Sequence, residues 1–306
     1  MKKSRFFESA RFMVRILPAV SAEECFALKG GTAINLFVRD LPRLSVDIDL
    51  TYLPVESRDA SLTNISDALN RIADRVKKAN RNATIEKKTL KNTSYVFKLL
   101  IRDGTGETKI EPNLILRGSV MTAETRSLSK KAETLFSAAV DIRILSNADL
   151  YAGKFCAALD RQHPRDIFDM KLFLEDKNSI NTDFRKAFVV YLAGHNRPIH
   201  ELLKPTALDV RNLFESDFEE MASSPVTYEE LEKVRAQYFL LATTILGTKE
   251  KQFLFSLKSG EPQWGLLGIP KVEKFPALQW KLANIKKMDV AKRKRLLAKL
   301  EKVLAG

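Results

Sequence analysis

Two aspartates interrupt an apolar strand pattern at Val46-Asp47-Ile48-Asp49-Leu50, and they constrain the fold more than any other feature of the chain. Aspartate is depleted in strands and costly to bury. Side chains of a strand alternate between faces, so Asp47 and Asp49 point one way. Val46, Ile48 and Leu50 point the other way, into a core. The strand from Val46 to Tyr52 therefore needs one packed face and one polar face. Just upstream, Lys29-Gly30-Gly31-Thr32 makes a turn that opens a helical pattern. Backbone N–H groups at a helix start attract phosphate, and paired carboxylates attract Mg²⁺. A strand edge with an acidic outer face has the same Asp-x-Asp spacing. The glycine turn before it is what favours a metal and a triphosphate.

The chain has 306 residues, enough for two domains with a sizeable core. At 45% hydrophobic and 29% charged residues it has the composition of a soluble globular protein. The longest apolar run, near Tyr238 to Leu246, falls short of the roughly 20 residues that a membrane span needs. Lys2, Lys3 and Arg5 open the chain, but Glu8, Arg11 and Arg15 come soon after, so the segment suits an amphipathic helix rather than a signal peptide. Cys25 and Cys156 offer no disulfide framework, which fits a reduced cytoplasm. His163, His195 and His200 have no metal-ligand spacing with the cysteines, which argues against zinc. Net charge is +13, and from Lys271 onward eleven Lys or Arg face three acidic residues, more than half of the excess. Such a basic balance favours a polyanion partner, although a charge run is also an ordinary solvated face.

Periodicity predicts a helix over Phe6 to Val20, with Ser21 and Glu24 as a capping box for the next element. Cys25 to Leu28 leads apolar into the glycine turn, and Thr32 to Val38 suits a helix. Ser61 to Lys78 is amphipathic, with Leu62, Ile65, Leu69, Ile72 and Val76 on one face. Strand patterns occur next at Ala83–Thr89, Tyr95–Ile101 and Thr108–Leu116, the last two joined by the hairpin turn Asp103-Gly104-Thr105-Gly106. Val140 to Leu145 is a further strand or an extended linker. From Asn147 the pattern is helical to the end. Helices are expected at Ala148–Leu159, Pro164–Glu175, Phe184–Ala193, Tyr228–Leu246 and Val290–Leu304, with a break near Pro198 and Pro205. Residues 1–140 form an α/β domain on this pattern, and 141–306 a helical domain with a basic C-terminal segment.

Two more constellations carry chemistry. In Lys109-Ile110-Glu111-Pro112-Asn113, alternation puts Lys109, Glu111 and Asn113 on one face. Beside the Asp47 strand, Glu111 becomes a third carboxylate, able to help hold divalent ions and activate a hydroxyl for in-line attack on a nucleotide α-phosphate. A polar outer face of a hairpin has the same pattern. Pro112 argues for an edge strand, because it cannot donate to a ladder. The last constellation is Leu150-Tyr151-Ala152-Gly153-Lys154, with Arg165-Asp166-Ile167-Phe168-Asp169 after it. Lys154 either snorkels or meets an anion. Asp166 either complements a helix dipole or fixes Lys154 or Arg161 by a salt bridge.

In this order the motifs resemble the AbiEii/AbiGii-type nucleotidyltransferases, the toxin halves of bacterial abortive-infection and type IV toxin–antitoxin pairs. The resemblance rests on Lys29-Gly30-Gly31-Thr32-Ala33, Leu41-Pro42-Arg43-Leu44-Ser45-Val46-Asp47-Ile48-Asp49-Leu50, Lys109-Ile110-Glu111-Pro112-Asn113 with Leu116-Arg117-Gly118, and the Lys154 and Asp166 motifs. It covers residues 1 to about 180 and departs from the family pattern at Pro112, where a β-branched residue is expected. It implies an α+β fold, with a polymerase-β-like nucleotidyltransferase domain of mixed sheet and then an α-helical C-terminal domain. It implies that Gly30, Gly31 and Thr32 cradle a triphosphate, with Arg43 and Ser45 at the nucleotide. Asp47, Asp49 and Glu111 become catalytic metal ligands, Lys154 the phosphate lysine and Asp166 the acidic residue that comes after it.

The activity so implied is Mg²⁺- or Mn²⁺-dependent transfer of NMP from an NTP to RNA, foremost the acceptor end of tRNA. The outcome would be growth arrest in the cytoplasm, without membrane association, opposed by an antitoxin encoded nearby. Other readings are a small-molecule acceptor such as an aminoglycoside, a protein acceptor, or a non-catalytic nucleic-acid-binding protein of the same fold. The strong positive charge disfavours a cationic drug as acceptor, and the intact Asp47 and Asp49 disfavour loss of catalysis.

Overall fold

The computed structural model describes residues 4–305, so Lys2 and Lys3 lie outside it. Its contacts divide the chain into two units, Met1–Ser146 with Asp217–Pro225, and Asn147–Ser216 with Val226–Gly306. The first unit begins with α1 (Phe7–Ser21), β1 (Phe26–Lys29), α2 (Gly30–Ala33, continued by a π-helical turn over Ile34–Val38) and β2 (Ile48–Tyr52). It continues with α3 (Arg58–Ala79), β3 (Thr84–Thr89), β4 (Val96–Asp103), β5 (Gly106–Asn113), β6 (Glu124–Ser127), α4 (Lys130–Phe136) and β7 (Asp141–Ile144). Among the described residues seven strands make one mixed sheet, in the order β3-β4-β5-β2-β1-β7-β6. β2 is parallel to β5 and β1 to β7, while the other neighbours are antiparallel. Helices α1 and α3 pack on the sheet and on each other. The α3 face expected from periodicity (Leu62, Ile65, Leu69, Ile72, Val76) is buried. The helix starts three residues earlier than the expected Ser61 because Ser57 caps it, accepting from the Ala60 N–H.

Four local expectations need correction. Ser21 is the last residue of α1 and its hydroxyl donates to the Pro18 carbonyl, so it caps no later element. The region after it is held instead by Glu23, which accepts from Arg71 and Arg75 of α3. Strand β2 begins at Ile48, and Val46 before it is half-buried, its carbonyl engaged by the Thr108 hydroxyl at 2.7 Å. Pro112 is not on an edge strand, since β5 runs between β4 and β2. Register with β4 runs only from Gly106 to Ile110, so the missing N–H falls beyond that ladder. Finally, β6 and α4 arise where no periodic pattern announced them. Strand β6 is the edge strand beside β7, and α4 is a short helix capped by Ser129.

The second unit comprises α5 (Asn147–Arg161), α6 (Pro164–Glu175), α7 (Thr182–Gly194), α8 (Ile199–Leu203), α9 (Arg211–Asp217, whose last residue already counts with the first unit), α10 (Tyr228–Thr244), α11 (Thr248–Ser259), α12 (Pro276–Lys286) and α13 (Val290–Ala305). Its core is aromatic. The Phe155 ring lies 6.0 Å from Phe184, 4.9 Å from Phe188 and 5.9 Å from Tyr238, and Phe173 stands 4.7 Å from both Tyr151 and Phe184. The edge-to-face contacts of Phe155 add to the area the rings bury. No described helix is long and apolar enough to cross a membrane.

Phe155 is fully buried at the centre of these rings. Phe155→Ala should therefore lower the unfolding free energy by about 3–5 kcal/mol in urea titrations. A loss below about 1 kcal/mol would mean that the ring cluster collapses to fill the space.

Candidate active site

The first unit gathers most of the candidate residues around the turn between β1 and α2. Gly30 has φ +70°, a left-handed conformation that side chains resist. A Cβ there would stand 2.8 Å from the Asp49 Oδ2, so the carboxylate rests against bare backbone. A Cβ on Gly31 would stand 2.6 Å from the Arg43 Nη2 and 3.2 Å from the Ser45 Oγ. Both glycines are thus required by close approach. The Thr32 hydroxyl lies 2.5 Å from the Asp47 carbonyl and 2.9 Å from the Ser45 Oγ. A carbonyl can only accept, so Thr32 donates to Asp47 and Ser45 donates to Thr32. The Asn35 amide donates to the Gly31 carbonyl at 2.9 Å. The π-helical turn after α2 is a form often found beside functional sites.

Asp49 lies level with Lys29 of β1 and Glu111 of β5 in the sheet register. Adjacent strands carry level side chains on the same face, so Asp49 and Glu111 are neighbours. Asp47 pairs with the Lys109 ammonium at 3.3 Å and Glu111 with Lys98 at 2.8 Å. Asp49 is half-buried and makes no ion pair or side-chain hydrogen bond among the described residues. Such a carboxylate, in a notch that a Cβ would fill, has the hard oxygen chemistry that suits Mg²⁺. Asp47 and Glu111 supply the same donor type, and their lysine partners are partly exposed. As the side chains stand, no three His, Cys, Asp or Glu among the described residues form a ready metal cluster.

Arg43 and Ser45 are placed by a feature that periodicity does not reveal. Segment Asp217–Pro225 leaves the helical stretch and packs with the first unit. The Leu44 N–H donates to the Met221 carbonyl at 2.9 Å and the Ser223 N–H to Pro42 at 2.8 Å, while Arg43 forms a β-bridge with Ala222. Phe218 and Met221 are fully buried beneath it. The loop that lays the Arg43 guanidinium over Gly31 is therefore held by chain almost 180 residues away.

Lys154 and Asp166 belong to the second unit, on α5 and α6. The Lys154 ammonium lies 2.8 Å from Asp166 and 3.0 Å from Asp169, all three groups at least 94% buried. Arg161 adds a two-pronged contact to Asp166, at 2.5 and 3.0 Å. Burial alone would raise the Asp166 carboxyl, but Lys154 and Arg161 outweigh it and hold the group well below the usual carboxylate range. Lys154 does not snorkel, and Asp166 fixes both Lys154 and Arg161. The second carboxylate on Lys154, Asp169, was visible three residues after Asp166, one helical turn along, but its role needed the structure.

The family model described as "Nucleotidyl transferase AbiEii toxin, Type IV TA system" matches residues 11–283. No curated protein sequence matches. Among solved structures, the nucleotidyltransferase toxin MenT4 from Mycobacterium tuberculosis H37Rv is similar, with a TM-score of 0.56 over 90% of this chain and 93% of that one. At 14% identity the likeness establishes a shared fold.

Removing one member of a buried ion network strands the others. Lys154→Met should lower unfolding free energy by about 3–5 kcal/mol. Lys171→Met, which breaks only the partly exposed α6 pair with Glu175, should cost under about 1 kcal/mol. Chemical denaturation of both variants decides it, and equal small losses would show that the Lys154 network adds nothing to stability.

Proposed function

The chain belongs to the AbiEii family of nucleotidyl transferase toxins of type IV toxin–antitoxin systems, and from that premise we propose that it transfers NMP from an NTP to the 3′ end of RNA, foremost tRNA, with Mg²⁺. The observation that carries the proposal is the half-buried Asp49 carboxylate, without an ion pair among the described residues and seated against the Gly30 backbone. In the reaction, the acceptor 3′-hydroxyl oxygen bonds to the α-phosphorus. The α–β phosphoanhydride bond breaks and pyrophosphate leaves. One of the carboxylates Asp47, Asp49 and Glu111 accepts the hydroxyl proton. Asp47 and Asp49, with Glu111 beside them, would hold Mg²⁺ or Mn²⁺, which neutralises triphosphate charge and polarises the α-phosphate. The Gly30–Thr32 N–H groups, at the start of a helical run, offer donors to phosphate oxygens, and Arg43 adds positive charge over Gly31. Lys154, the phosphate lysine that the family resemblance implies, spends two of its three N–H donors on Asp166 and Asp169.

The basic C-terminal segment supplies the RNA grip in this proposal. On α13 the buried side chains are Leu300 and Leu304, whereas Lys292, Lys294 and Arg295 are exposed. Such cations bind backbone phosphates without reading sequence. The toxin arrests growth through the modified RNA, and an antitoxin from the same locus relieves the arrest.

Incubation with total RNA and each labelled NTP in turn, resolved on a gel, should show one nucleotide joined to tRNA-sized RNA. Chelation should abolish the signal and added Mg²⁺ restore it. Asp49→Asn should reduce transfer about 100-fold or more, because several kcal/mol of transition-state charge stabilisation depend on it. Its melting temperature should stay near wild type, since Asp49 has no internal ion pair. Wild-type transfer by Asp49→Asn would refute the metal assignment.

A further inference from the structure

One face of the sheet is packed and the other is charged. Ile48 of β2, Leu99 and Ile101 of β4 and Ile110 of β5 are buried, on the face where α1 and α3 pack. The alternate residues put charge on the opposite face: Glu86 and Lys88 of β3, Lys98 and Arg102 of β4, and Glu107, Lys109 and Glu111 of β5. Asp49, level with Glu111, belongs to that face. Lys88 stands directly opposite Lys98 in the register. Like charges so placed repel each other and weaken the strand pair. Lys87, one residue away, is also exposed but turns to the helical face, where it donates to Asn70 of α3 at 2.8 Å.

The cations of this face are balanced only while the carboxylates of the candidate site stay with them. Lys98 engages Glu111 at 2.8 Å and Lys109 engages Asp47 at 3.3 Å, while Lys88 and Arg102 share Glu86. A carboxylate that turns to a divalent cation gives up its lysine. With Asp47, Asp49 and Glu111 so engaged, Lys88, Lys98, Arg102 and Lys109 are left with Glu86 and Glu107 on this face of β3, β4 and β5. Two ammonium groups are then released together beside the reacting centre, and Lys88 already faces one of them.

Strand order gives the face a direction. The glycine turn lies on the β1 side of Asp49, and β5, β4 and β3 continue on the other side. In-line displacement puts the attacking and leaving oxygens on opposite sides of the α-phosphorus. A triphosphate on the Gly30–Thr32 turn sends its pyrophosphate toward β1, so the attacking hydroxyl comes from the β5 side. Neighbouring strands lie about 4.8 Å apart, which puts β4 about 10 Å and β3 about 14 Å from β2. We propose that the acceptor RNA reaches the site across this face, its last backbone phosphates held by Lys109 and Lys98 and the next by Lys88, and that Lys98 and Lys109 stay on Glu111 and Asp47 until those carboxylates turn to the metal. The RNA and its direction of entry rest on the function proposed above. The exchange of partners stands on the two ion-pair distances.

Binding of a tRNA transcript to the full chain is measured against salt, in Mg²⁺ and without NTP. Lys88→Met and Lys98→Met should each flatten the log–log slope by about 0.7, the value for one lost contact to a single strand. Lys87→Met removes the same charge from the other face and should keep the wild-type slope. Equal slope changes in Lys87→Met and Lys88→Met overturn the path, because net charge alone would then be acting. Mn²⁺ binding, without RNA or NTP, is followed by the electron paramagnetic resonance of the free ion. Lys98→Met should bind Mn²⁺ about 2- to 5-fold tighter than Lys88→Met, the factor a partly exposed ion pair is worth, because Glu111 has lost its resident cation. Equal Mn²⁺ affinity in the two variants overturns the exchange. Neither measurement uses nucleotide transfer. Transfer to tRNA with wild-type slopes in Lys88→Met and Lys98→Met refutes the path and leaves the reaction, whereas the expected slopes without transfer refute the reaction and leave the path.

Discussion

A carboxylate can lie against a helix-opening turn only where no Cβ stands between them. At Gly30 and Gly31 the Asp49 Oδ2 and Arg43 Nη2 occupy the space that side chains would take, within 2.8 and 2.6 Å of a hypothetical Cβ. That contact makes one site of three separate pieces: the end of β1, the start of α2 and the front of β2. The Thr32 bonds to Ser45 and Asp47 then lock the loop before β2 onto the helix. Parallel pairing of β2 with β5 brings Glu111 level with Asp49. Each later contact presupposes the glycine turn.

The ion pairs beside β2 and β5 and the ion network of α5 and α6 differ in what they can do. Asp47 and Glu111 pair with lysines that are a quarter or more exposed, and solvent screens such pairs strongly. Their carboxylates can change partners at little cost. Lys154, Asp166 and Asp169 are sealed from water, so exchange there would leave a bare charge inside the protein. The first arrangement suits a site that takes and releases a charged ligand. The second suits a fixed brace between α5 and α6.

Elements with a strong repeat were legible in the chain itself. The amphipathic stripe of α3, the β4–β5 hairpin around Gly104, the alternation in β2 and β5, and the helix opened by Pro164 all appear within a few residues of expectation. Each is specified by its own residues. Strand β6 and helix α4 were not legible, because a short edge strand and a two-turn helix bury too little to impose a period. Pro112 misled for a related reason. Proline reports a missing donor, and only the register of β4 shows that no donor is needed there.

By itself the sequence determined the α+β order of elements, the glycine turn, and the common face of Asp47 and Asp49, because backbone periodicity and the absence of a Cβ act locally. Tertiary structure decided which strands are neighbours, and so whether Glu111 meets Asp49. It decided that Lys154 faces two carboxylates rather than water. It also brought Met221 and Ala222 onto the loop of Arg43. These are contacts between residues far apart in the chain. Their energies depend on which surfaces are removed from water together, and no local pattern carries that information.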